Sequence, residues 1–268
     1  MGLYSCERLQ SNLQPFLRLR SLLWCTMDSD IIIHPSRAIR EKGIPPCGIL
    51  FVNPTEARIA LQILADRGGD QRFLFHSGLV VSPDNDFFAA GPALGAPMAA
   101  MVMEKLIVLG ANQVVMAGWC GAVSSDIRLG DTVLGGLAVA GEGTSRYYTK
   151  EDSSQPSSRL LASLQSVFDI EAPTNLWSTD APYRESRKML RSLASRYDVG
   201  AVDMEYSALC AVAAFRKIDF TALFLASDEL WKDEWRPGFT GKVFKRKSKA
   251  QIKQLMQHIV SLSIIKES

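Results

Sequence analysis

Histidine is scarce in this 268-residue chain, as are patterns that would commit it to metal, disulfide or membrane chemistry. The three histidines, His34, His76 and His258, are too scattered to suggest a metal site. The five cysteines (Cys6, Cys25, Cys47, Cys120, Cys210) show no ligand spacing, and an odd count argues against a disulfide framework. That usage fits a reducing compartment, so a cytoplasmic location is expected. No apolar run approaches the roughly 20 residues of a membrane span. A net charge of +2 points to no nucleic-acid partner. Internal repeats are missing, and so is the Gly-Lys-Ser/Thr of a Walker loop. No resident metal or cofactor is expected.

The hydrophobic fraction of 47% is ordinary for a globular chain, and the length suits one large α/β domain or two small ones. Residues 1–26 differ from the rest. Leu17 to Cys25 is mildly amphipathic and lacks the apolar core and cleavage site of a signal peptide. Residues 1–26 are read as a disordered leader or a mis-assigned start, and residues 27–268 as the domain. Short apolar runs predict strands at Gly48–Val52, Phe87–Ala90, Gln113–Ala117, Val199–Val202 and Phe220–Ala226. Helices are expected at Glu56–Ala65, capped by Thr55, at Met98–Leu109, at Pro156–Val167 and at about Ser248–Ile264. Met101, Leu106 and Leu109 are core candidates on the second helix. Leu209, Val212 and Phe215 mark a further helix at helical spacing. The strand–glycine loop–helix–strand order from Phe87 to Ala117 suggests a crossover unit.

One stretch organises the chain. Val199–Val202 runs into Asp203-Met204-Glu205, and a helix follows. Acidic residues at a strand-to-helix junction can face a ligand at the carboxyl end of a sheet, or merely complement the helix dipole. Two distant stretches bear on this: Gly91-Pro-Ala-Leu-Gly95-Ala-Pro97 and Ala226-Ser227-Asp228-Glu229. Met116-Ala-Gly118-Trp119-Cys120-Gly121-Ala122, Gly130-Asp131-Thr-Val-Leu134 and Gly141-Glu-Gly-Thr144-Ser145 complete an ordered set.

This set resembles the nucleoside phosphorylase superfamily, which includes purine nucleoside phosphorylase, uridine phosphorylase and the methylthioadenosine/adenosylhomocysteine nucleosidases. The resemblance covers about Asp28 to Phe239. It implies a single α/β domain whose central mixed, twisted sheet forms a partial barrel flanked by helices. It also implies cleavage of an N-ribosidic bond. Glu205 would bind the ribose hydroxyls and favour the positive charge that develops on the sugar. Met204 would pack on the sugar, Thr144 and Ser145 would face it, and Tyr183 would stack on the base. Gly95, Gly118 and Trp119 would line the site. Asp228 would protonate a purine, a role that requires enough burial to keep it protonated; alone it reads equally as a helix cap. His34 would reach the site of a neighbouring subunit, so a homodimer or larger assembly is expected.

The resemblance leaves the attacking group open. The positions that hold phosphate in the phosphorylases carry Val52, Glu56, Met116 and Trp119, none of them cationic. Each lost charged hydrogen bond is worth about 1.5–3 kcal/mol. Glu56 matches the nucleosidase glutamate that activates water, and also reads as a solvated first-turn residue. Hydrolysis of a purine nucleoside is therefore expected. Phosphorolysis of a purine nucleoside or uridine, with phosphate as partner, and non-catalytic nucleoside binding are the alternatives. Arg72 reads as a partner-subunit phosphate ligand or as a surface residue, Cys120 as a buried thiol, and Lys232–Lys249 as a solvated basic face.

Overall fold

A computed structural model describes residues 31–264. Expectations for residues 1–26 lie outside them. Residues from Arg37 onward form one compact unit, and residues 31–36 lie outside it. The chain runs β1 (Cys47–Phe51), α1 (Pro54–Asp66), β2 (Asp70–Leu74), β3 (Ser77–Val81), β4 (Phe88–Gly91), α2 (Ala96–Leu109), β5 (Gln113–Ala122) and β6 (Thr132–Ala140). It continues through β7 (Ser153–Ser154), α3 (Ser158–Phe168), β8 (Thr174–Ser178), α4 (Arg187–Tyr197), β9 (Val199–Asp203), α5 (Tyr206–Arg216), β10 (Asp219–Glu229), β11 (Arg236–Pro237) and α6 (Lys242–Ile264).

Strand pleating sends successive side chains to opposite faces, so a strand with helices on both sides must be apolar throughout. β1, β5 and most of β10 satisfy this and divide their residues between two cores. Leu50, Val114, Met116, Ala222 and Phe224 meet α2 and α5. Ile49, Phe51, Val115, Ala117 and Leu223 meet α1, α3 and α6. The α2 and α5 layer is also tied by a two-pronged contact. Arg216 Nε and Nη2 donate to the Glu104 carboxylate at 2.8 and 3.0 Å.

The sheet is mixed and closes on itself. β5 pairs with β10 in parallel, β10 with β6 antiparallel, β6 with β8 and β8 with β9 in parallel, and β9 returns antiparallel to β5. Those five strands form a closed barrel. β1, β4, β3 and β2 extend from β5 as an open wing. Closure leaves none of the five central strands with a free edge along its paired length. Tyr206, fully buried at the start of α5, packs on the barrel wall, and its hydroxyl donates to the Gly136 carbonyl at 2.7 Å.

Several local expectations change. Met101 and Phe215 are 47% and 41% exposed, whereas Leu106, Leu109, Leu209 and Val212 are buried. α1 starts at Pro54, with Asn53 rather than Thr55 at its N-cap position. α6 begins at Lys242, one and a half turns before Ser248, because Phe244 buries against the body. Asp228 caps no helix; it lies inside β10.

Tyr206→Phe removes a donor and leaves a buried carbonyl without it. We expect a loss of about 1–3 kcal/mol in chemical denaturation with an unchanged denaturant slope.

Candidate active site

A cavity of about 410 Å³ opens where the carboxyl ends of β5, β9 and β10 meet. Its sugar end, as the resemblance names it, is built by the β9–α5 junction. The Asp203 carboxylate takes hydrogen bonds from Glu205 N (2.9 Å), Tyr206 N (2.7 Å) and Ser178 Oγ (2.5 Å). It thus satisfies the first free N–H groups of α5, as an N-terminal cap does. Glu205 is relieved of that duty. It is 3% exposed, and its Oε1 accepts from Gly95 N at 2.6 Å. Gly95 has φ +84°, a conformation that favours glycine, and this backbone aims its N–H across at the carboxylate.

The other end is built by β10. Register shifts between Ala226 and Asp228 against β5, so Ser227 is the extra residue of a bulge. Pleating would send consecutive residues to opposite faces; the bulge lets both Ser227 and Asp228 line the cavity. Gly121 lies opposite, and a Cβ there would come within 3.2 Å of Asp228 Oδ2. Asp228 Oδ1 accepts from Ser227 Oγ at 2.6 Å and Oδ2 from Trp235 Nε1 at 2.9 Å.

Glu205, Met204, Asp228, Tyr183 and Trp119 all line this one cavity, together with Asp203. Tyr183 is 98% exposed, on the 3₁₀ turn Pro182–Arg184. Trp119 stacks on Phe239 (5.7 Å between centroids) and meets Phe244 edge-on (5.2 Å). The segment read as a solvated basic face therefore supplies an aromatic wall and, through Trp235, a cavity residue.

Other expected residues lie elsewhere. Thr144 and Ser145 do not line the cavity. The Ser145 hydroxyl donates to Glu142, which also accepts from Ser207 Oγ at 3.0 Å, so this loop is held to α5. Gly118 is buried against Val52. Glu56 is buried, does not line the cavity, and accepts from Ser248 Oγ at 2.6 Å through Oε1. Among the described residues its Oε2 has no partner, and neither do Asn53 Oδ1 and Trp119 Nε1. His34 is exposed, in the segment outside the compact unit. Arg72 is not a free surface residue: it binds Asp70 and the carbonyls of Lys42 and Gly43. Cys120 is buried, and burial pushes its thiol well above the usual range, as expected of a structural cysteine.

Four cavity residues escaped sequence reasoning: Asn53, Glu185, Leu230 and Trp235. Glu185 follows Tyr183 by two residues and precedes a helix, so it reads as a helix-start acid.

The lining holds four carboxyl side chains, Asp203, Glu205, Glu185 and Asp228, and among the described residues no Lys, Arg or His. Burial raises Asp203 and Glu205, with the Asp203 charge adding to the effect on Glu205. Burial and the Asp228 charge push Glu185 up to about 7. Among the described residues no group of three His, Cys, Asp or Glu is arranged to hold a metal ion.

The barrel and its junction of acidic strand ends define a family. The chain belongs to the phosphorylase superfamily, whose family model matches residues 46–261. A DeoD-type purine nucleoside phosphorylase of Brevibacillus brevis is 28% identical over 151 residues, 54% of this chain and 64% of that enzyme. One from Buchnera aphidicola is 23% identical over 77% of this chain and 85% of the enzyme. Among solved structures, purine nucleoside phosphorylase from Toxoplasma gondii, in complex with immucillin-H, aligns with TM-score 0.72 at 18% identity, over 87% of this chain and 97% of its own. AMP nucleosidase from Bacteroides thetaiotaomicron aligns with TM-score 0.62 at 24% identity, over 84% and 90%. These relatives are enzymes acting on N-ribosidic bonds.

A carboxyl raised by burial holds its proton in the folded chain at a pH where the unfolded chain has released it. Stability therefore falls as pH rises from the ordinary glutamate value of 4.5 through the raised one. Glu205→Gln keeps an acceptor for Gly95 N and removes the charge. We expect the variant to melt above the parent at alkaline pH in thermal denaturation, with the gap closing as pH falls toward 4.5.

Proposed function

We propose that this chain hydrolyses the N-ribosidic bond of purine nucleosides, with water rather than phosphate as the attacking group. The observation that carries the choice is a lining with four carboxyl groups and, among the described residues, no basic side chain. A lining without a cation offers an incoming phosphate no charge-assisted hydrogen bond, and carboxyl oxygens favour the positive charge that develops on the sugar as the bond breaks. Arg72, the candidate for phosphate contact in a partner's site, is already held by Asp70 and two carbonyls.

Glu205 hydrogen-bonds the ribose hydroxyls, and Met204 packs on the sugar. Tyr183 stacks on the base, and Asp228 meets the nitrogen that departs. The purine relatives and the Ser227-Asp228 pair support a purine. Glu56 serves the attacking water. One of its oxygens is buried without a partner, one turn along α1 from Asn53, whose side-chain oxygen is also unpartnered and which lines the cavity. Two such acceptors suit the hydrogens of water. His34 completes the site of a second copy, which makes the active unit at least a dimer. Phosphorolysis is the competing reading, favoured by the names of the sequence relatives.

Incubation with inosine, with and without phosphate, tests this. We expect free ribose as product at a rate indifferent to phosphate. Ribose 1-phosphate with strict phosphate dependence would overturn it. Asp228→Asn should lower kcat on inosine by about 10²–10⁴-fold, the usual worth of general acid catalysis.

A further inference from the structure

We propose that Glu185 is a catalytic acid of this cavity, sharing with Asp228 the single proton that the departing base takes up; this rests on the nucleosidase reading above. Glu185 is half-buried at the end of the Pro182–Arg184 turn, between the cavity residue Tyr183 and Ser186. Its position does not serve the following helix. The cap of α4 is Ser186, whose Oγ accepts from Met189 N at 3.2 Å. Neither adjacent arginine neutralises it. Arg184 is exposed, and Arg187 turns to Asp233 at 3.3 Å. Among the described residues no protein donor reaches the Glu185 carboxyl. Its hydrogen-bonding capacity is left to whatever fills the cavity.

Asp228 is in the opposite condition. Each of its oxygens is engaged, and the indole of Trp235 can only donate, so Oδ2 is an acceptor in that contact. The charged groups that share the cavity with Glu185 are Asp228 on β10 and, at the β9–α5 junction, Asp203 and Glu205; among the described residues no cation lines it. Like charges in one cavity disfavour joint ionisation. Of Asp228 and Glu185, Glu185 is the one with no protein donor holding it as an anion. Burial and the Asp228 charge both raise its affinity for a proton toward neutrality. A general acid works best when its proton affinity lies near the working pH.

The step balances as follows. The electron pair of the C1′–N bond moves to the base. The proton leaves the Glu185 carboxyl and lands on a base nitrogen, giving a neutral base and a carboxylate. Water adds to C1′ and loses one proton to solvent or Glu56. Solvent returns a proton to the pair, so the net reaction consumes one water.

The test compares inosine with 7-methylinosine in the wild type and in Glu185→Gln. The methylated base already carries a positive charge and leaves without taking a proton. We expect Glu185→Gln to slow inosine hydrolysis by about 100-fold and 7-methylinosine hydrolysis by less than about threefold. The alkaline limb of the wild-type pH profile of kcat/KM for inosine, near 7, should disappear in the variant. Equal losses on both substrates, or an unchanged inosine rate and pH limb, would overturn the assignment. A wild type inactive on both substrates, with and without phosphate, would instead overturn the nucleosidase reading. Matching thermal melts of the two proteins establish that the variant is folded.

Discussion

The buried carboxylate of Asp203 is the contact on which the site depends. Three donors converge on it: two backbone N–H groups opening α5 and the hydroxyl of Ser178 on β8. The same hydroxyl accepts from Ser207 N, the second residue of the helix, at 2.9 Å. One carboxylate and one hydroxyl thus bind β8, β9 and α5 together. A hydrogen bond to a charged group is worth about 1.5–3 kcal/mol, and this cluster offsets burial of an acid that would otherwise stay in water. The consequence for Glu205 is direct. Because Asp203 caps the helix, Glu205 can turn across to Gly95 and the cavity. Tyr206, next in sequence, points the other way and locks the helix onto the barrel wall. Helix capping, a cavity-facing carboxyl and core packing thus follow from one turn.

Four carboxyl groups in one cavity are an unfavourable arrangement for a resting protein. Burial and mutual repulsion raise Asp203, Glu205 and Glu185 together. A chain selected for stability alone would not keep them without cations. Such sites exchange stability for the ability to meet charge that exists only during reaction. The replaced phosphate positions fit the same logic. Trp119 stacks on Phe239 and meets Phe244 edge-on, which makes that wall apolar. Apolar walls lower the local dielectric and strengthen the action of nearby carboxylates on a developing cation.

Much of the fold was legible because β1, β5 and β10 are buried on both faces and therefore read as unbroken apolar runs. Glu205 and Asp228 stood out in the sequence because each lies at the carboxyl end of an apolar strand, β9 and β10. Periodicity could not see closure, since the β5–β9 and β10–β6 pairings join segments far apart in sequence. Nor could it separate Met101 from Leu106, which share a helix and an apolar character but differ in what lies over them. Ser145 was misplaced for a related reason. A hydroxyl in a glycine loop serves a ligand or its own backbone equally well, and here Glu142 and Ser207 claim it. Trp235 and Glu185 sit in polar, turn-rich segments whose composition carries no sign of the cavity they enter.

The two ends of the cavity are built differently, and that difference bears on how specificity is set. One end comes from one continuous turn, Asp203 to Glu205, anchored between strand and helix, with both carboxyl groups buried. The other end is assembled from separate pieces. Asp228 comes from the bulge in β10, Tyr183 and Glu185 from a short 3₁₀ turn, and Trp235 from the segment before β11. Tyr183 and Trp235 are 98% and 59% exposed, so substitutions there disturb little packing. A change at Asp203 or Glu205 breaks a cap or a buried carboxyl contact. The β9–α5 end is therefore tied to the integrity of the fold, whereas the other end presents side chains that can change with little loss of stability. Asp228 is the exception at its end. The glycine facing it and the bulge beside it belong to the barrel, so its carboxyl is fixed by the fold, while Tyr183 and Trp235 are not.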